Sequence, residues 1–160
     1  LEYGAKAYED HKKGLCTYEV EQVILAIVVT TGIASIFLTK DYTPDYNSGL
    51  AHAIFYALTS YPVIEKNHLH GEFVGFGVLL ALLVDGQDEE FEKIYLLNKS
   101  ISLPVSLDEI EISKEQWEES TDRIPDMSDV AHYPYKVSKE MLKNAMARLE
   151  EKVRKDIHVR

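Results

Sequence analysis

Two histidines, His52 and His70, stand in small and apolar company within residues 48–84, the stretch around which the rest of the chain is arranged. His52 lies between Ala51 and Ala53, with Ile54 beyond. His70 lies between Leu69 and Gly71, and the glycine lets backbone or ligand come close. A neutral imidazole in such surroundings must find partners for both ring nitrogens. A divalent metal on one nitrogen and an acceptor on the other would satisfy them, and so would two structural hydrogen bonds; pattern alone leaves both readings open. Metal-binding histidines on one helix face stand four apart, whereas these are eighteen apart with Pro62 between them, so they meet only if they come from separate helices. Such a pair supplies two imidazoles and needs a third ligand, usually a carboxylate, to make an open catalytic site. His68 competes by its closeness to His70, while His11, His132 and His158 read as loop or surface residues.

The elements that must position the pair follow from periodicity and punctuation. Residues 1–13 have helical composition and stop at Gly14. Thr17 is placed to cap the next helix through its hydroxyl, with Glu19 and Glu21 in the favourable first turn. That helix reaches about Thr39 and holds sixteen residues, 23–38, without a charge. A membrane span needs about 20 apolar residues, and Thr30, Thr31 and Ser35 interrupt this run, so it is expected to be a buried core helix. A loop punctuated by Pro44 and Asn47 precedes helices over 49–60 and 71–84, which are joined by a turn at Pro62 and closed by Asp85-Gly86. Residues 88–98 are amphipathic, with Phe91, Ile94, Tyr95 and Leu97 turned inward.

Residues 101–112 read as an extended linker through Leu103-Pro104 and a short turn capped by Ser106. Ser113 and Gln116 form a capping box for a helix over 113–124 whose weakly apolar face places it on the surface. After a loop over 125–137, Ser138 opens a last helix with Met141, Leu142, Ala145, Leu149 and Val153 on one face. The sum is an all-α multi-helix bundle of six to eight helices in a single domain over residues 1–160.

Composition bounds the partners. A net charge of −10 argues against a nucleic-acid surface, because phosphate binding needs clustered cations, and the basic residues near the end alternate with Glu150, Glu151 and Asp156. A single cysteine, Cys16, excludes an internal disulfide framework and fits the reducing cytoplasm. The chain opens Leu-Glu-Tyr without methionine or a signal segment, so it is expected to be part of a longer polypeptide.

The strings GLAHAI around His52 and HGEFVGFG from His70 resemble the metal-binding segment of the glycerol dehydrogenases, within the iron-containing alcohol dehydrogenase and dehydroquinate synthase-like superfamily. The separation of the two histidines is similar too, and looser likeness extends over LCTYEVEQVILAI and SISLPVSLDEI. The resemblance implies an N-terminal NAD-binding α/β domain, absent from this chain, and a C-terminal helical domain carrying Zn²⁺ or Fe²⁺ on His52, His70 and an aspartate. That aspartate would lie upstream of Leu1; Asp10 and Asp41 do not match its place. Phe55 stands where many relatives have a second, non-ligand histidine.

The implied activity of the full-length enzyme is NAD-dependent oxidation of a small polyol or alcohol. The metal lowers the pKa of the substrate hydroxyl and hydride passes to the nicotinamide. The chain alone, lacking a ligand and any glycine-rich phosphate-binding turn, is expected to be inactive. Glu72 reads as a first-turn charge on its helix, not a catalyst. A homo-oligomer is expected, helped by close packing at Gly75 and Gly77, with no nucleic acid and no membrane. Two alternatives remain: a glycerol-1-phosphate dehydrogenase-like domain, for which Lys66 is the only phosphate-binding cation in view, and a non-catalytic helical assembly domain.

Overall fold

In the computed structural model, residues 2–40 and 48–158 are described, the side chain of Leu38 aside. The loop of Pro44 and Asn47, and with it Asp41, lies outside them. All regular structure among the described residues is helical, as the sequence implies.

The centre of the bundle is a crossing of α4 (Leu50–Leu58) and α6 (His70–Val84), the most extensive helix pairing among the described residues. Leu50, Ile54 and Leu58 of α4 meet Phe73, Phe76, Leu79 and Leu80 of α6, and all seven are fully buried. Each such side chain contributes about 1.5–3 kcal/mol of transfer free energy. The crossing is close because Gly77 has no side chain: a Cβ there would sit 2.6 Å from the Ala51 carbonyl oxygen. Gly75 likewise faces Leu103 and takes the Asn98 amide on its own carbonyl (3.3 Å), so both glycines serve packing inside the chain. Between the two helices the connection is a short helix, α5 (Pro62–Asn67), not merely a turn, with Pro62 in the first position where its missing N–H costs nothing.

Around this pair lie α7 (Asp88–Ser100), α8 (Lys114–Thr121) and α9 (Lys139–His158). Phe91 and Tyr95 of α7 and Leu142, Ala145, Met146 and Leu149 of α9 turn inward at helical spacing. The linker before α8 forms no strand, and the Ser106 hydroxyl accepts the Glu109 N–H (3.2 Å) as expected of a capped turn. The capping box of α8 is complete: Ser113 Oγ accepts the Gln116 N–H (3.2 Å) and Gln116 Oε1 accepts the Ser113 N–H (2.8 Å). Its expected surface position needs correction, since Trp117, Ser120 and Thr121 are buried where α8 packs on α4 and α9. One indole covers what the weak apolar stripe does not. Two 3₁₀ turns, Ile124–Asp126 and Ser128–Val130, then lead along α4 toward α9.

The N-terminal arm behaves differently. Helix α1 (Gly4–Lys12) stops before Gly14, whose positive φ of 68° marks the exit. The next helix runs as α2 (Tyr18–Leu25), a π-helical segment (Ala26–Thr31) and α3 (Gly32–Thr39). Thr17 occupies its N-cap, but the hydroxyl donates to Asp10 (2.8 Å) instead of accepting from the helix backbone, because Asp10 is buried beside it and also holds Lys6. The expectation of a core helix is not met: none of Tyr18–Phe37 is buried, and Phe37 is 72% exposed. Absence of charge favours the helix but supplies no neighbour, and α1 packs only against its beginning. By length and composition alone this 20-residue helix, with an 18-residue window of mean hydropathy 2.0, could cross a membrane.

Candidate metal centre

Both histidines are held in the first turn of a helix. Gly49 is extended, and its carbonyl accepts the N–H groups of His52 (2.9 Å) and Ala53 (3.0 Å), fixing where α4 begins. Leu69 is extended in the same way; its carbonyl accepts the Glu72 N–H, while Glu72 Oε2 accepts the Leu69 N–H, both at 3.0 Å. Glu72 is thus a first-turn partner of the backbone, in keeping with its position in the sequence. The α4–α6 crossing sets Ala51 against Gly77, two turns into α6, and Phe55 against His70, and the ring centres of His52 and His70 lie 5.7 Å apart at an interplanar angle of 43°.

Phe55, one turn after His52, stands edge-on to His70 with centres 4.4 Å apart and touches Phe73 behind it. It therefore walls the site with an aromatic ring that cannot ligate. His52 is half-buried and His70 exposed, so the site opens to solvent on the α6 side. Burial pushes the His52 pKa down, the facing His70 adds to this, and the Asp129 carboxylate opposes it. A neutral His52 is the form a metal needs.

Tetrahedral zinc with Zn–N bonds of about 2.0–2.1 Å would hold two imidazole centres about 5 Å apart. The observed separation of ring centres, 5.7 Å, is close to that value. A third ligand is another matter: among the described residues no group of three His, Cys, Asp or Glu side chains is placed to hold a cation. Asp10 is engaged by Lys6 and Thr17.

The other histidines do not join the pair. His68 faces Glu72 through Nδ1 (3.2 Å) and Glu111 through Nε2 (3.1 Å), and its ring packs edge-on against Phe73. His11 lies on α1, His132 beyond the second 3₁₀ turn, and His158 at the end of α9, all three exposed. Lys66 is exposed near the end of α5.

Two carboxylates escaped the sequence reading. Asp129, only 7% exposed, is carried to the α4 side by the second 3₁₀ turn, and nothing in its neighbourhood distinguishes it from Asp126. Glu111 sits in the linker before α8 and reaches back to the connection that starts α6. Nothing in the residues around Glu111 marks it in the sequence.

No protein-family model matches the chain. It is 29% identical over 119 residues to a glycerol dehydrogenase of Escherichia coli O6:H1, an alignment covering 72% of this chain and 29% of that protein. The chain therefore spans less than a third of the length of the relative it matches. This distant likeness fits a glycerol dehydrogenase-like helical domain and hints at an oxidoreductase.

Proposed function

We propose that this chain is the metal- and substrate-binding helical part of an NAD-dependent, metal-dependent polyol dehydrogenase of the glycerol type. The observation that carries the reading is the convergence of His52 and His70, from the first turns of two helices, at 5.7 Å between ring centres. The distant match to a glycerol dehydrogenase supports the substrate class.

His52 and His70 would hold Zn²⁺ or Fe²⁺, and the cation would supply Lewis acidity that favours ionisation of a bound hydroxyl, with NAD as hydride acceptor. The chain's own residues do the rest. Burial favours the neutral, ligating form of His52, and Phe55 packs edge-on against the His70 ring from one side. With two protein ligands the affinity is expected to be weak, and the chain alone is expected to turn over no glycerol with NAD. Sustained NADH production by the chain alone would overturn that part.

Calorimetric titration with Zn²⁺ tests the ligand pair. His52→Ala and His70→Ala should each weaken binding at least about tenfold, while His132→Ala leaves it unchanged. Equal binding by all variants would refute the site. The reading also places the protein in the cytoplasm, in water and not lipid, as a homo-oligomer; partition of the folded chain into a detergent phase would count against it.

A further inference from the structure

Glu111 has a backbone φ of 56°, in the left-handed region that disfavours a residue with a Cβ. The cause is a turn closure: Ile112 N–H donates to the Leu107 carbonyl and Glu111 N–H to the Asp108 carbonyl, both at 3.1 Å. This paired bonding is the one that closes helix ends with a left-handed residue, and the position strongly favours glycine. Here it carries a long charged side chain.

One oxygen of that side chain meets two partners. Glu111 Oε2 accepts the Asn67 amide N–H at 2.8 Å and faces His68 Nε2 at 3.1 Å. His68 meets Glu72 on its other nitrogen, and Glu72 in turn holds the Leu69 N–H. The next residue is His70. Every residue between α5 and His70 is therefore tied, directly or through one partner, to Glu111 or Glu72. Backbone strain that persists at one residue is explained when its side chain performs a task no glycine could.

We propose that Glu111 is a positioning residue for His70: its carboxylate clamps Asn67 and His68 and so sets the direction in which α6 starts and the His70 ring points. This rests on the metal-site reading above. The clamp reaches the site from a linker far away in sequence, and it acts on the backbone ahead of the ligand without touching the cation.

Glu111→Gly separates this role from a merely structural one, because it removes clamp and strain together. Two readouts apply to the isolated chain: the imidazole NMR signals of His70 without metal, and the affinity for Zn²⁺. The clamp predicts that Glu111→Gly keeps or raises the melting temperature, shifts and broadens the His70 signals, and weakens Zn²⁺ binding roughly tenfold. Glu111→Gln, which keeps an acceptor oxygen, should restore most of both. Unchanged His70 signals in Glu111→Gly would overturn the clamp whatever the metal does. Absence of Zn²⁺ binding by the unmodified chain would instead overturn the metal reading, and the metal-free signals would still decide the clamp.

Discussion

Helix α6 and the helix spanning Tyr18–Phe37 are both long and apolar, yet one lies at the centre of the molecule and the other in solvent. In α6, Phe73, Phe76, Gly77, Leu79, Leu80 and Leu83 are buried; in the other, nothing is. Composition does not separate them. Neighbours do: α4, α7 and α9 all pack on α6, whereas α1 covers only the first turns of its counterpart. A charge-free run thus secures a helix, while burial is conferred by elements arriving from elsewhere in the chain.

The largest effect that sharpens this contrast is truncation. Leu80→Ala, at a fully buried site, should cost about 3 kcal/mol. Ile27→Ala, at a residue 62% exposed, should stay within about 0.5 kcal/mol. Urea denaturation of both variants checks the pair, and similar losses would erase the distinction.

Glycine substitution should go in opposite directions in the two helices. Gly77→Ala drives a Cβ into the Ala51 backbone and should destabilise by about 2 kcal/mol, displacing His52 from His70. Gly32→Ala meets nothing within 4 Å and should stabilise its helix by about 0.5–1 kcal/mol. Thermal melts give the sign of each change.

A smaller effect belongs to the arm's root. Lys6 and Thr17 hold the Asp10 carboxyl below the usual carboxylate range. The unfolded chain therefore takes up that proton first, and the stabilisation is present above the ordinary aspartate pKa and lost as pH falls through the lower folded value. Asp10→Asn should flatten that acid-side loss in melting temperature and leave the α6 core untouched.

What the sequence disclosed follows the same division. Helix positions, the Ser113–Gln116 box and the stop at Gly14 are local and were legible from residue types. That His52 and His70 come from separate helices was legible from their separation across Pro62, and the structure sets their rings near each other. Burial of Trp117, exposure of Tyr18–Phe37 and the diversion of the Thr17 hydroxyl to Asp10 all depend on what packs alongside, which periodicity does not encode. Glu111 was hidden because it sits at a left-handed position that its residue type disfavours, and Asp129 because its placement depends on how its 3₁₀ turn packs along α4.

The central claim is that His52 and His70 form two thirds of a protein metal site. X-ray absorption at the zinc edge, on the chain loaded with one equivalent of Zn²⁺, tests it most directly by counting imidazole ligands. The account predicts two imidazoles at about 2.0–2.1 Å, completed by light oxygen ligands, and one fewer in either His52→Ala or His70→Ala. A spectrum with no imidazole, or one unchanged by both substitutions, would contradict it.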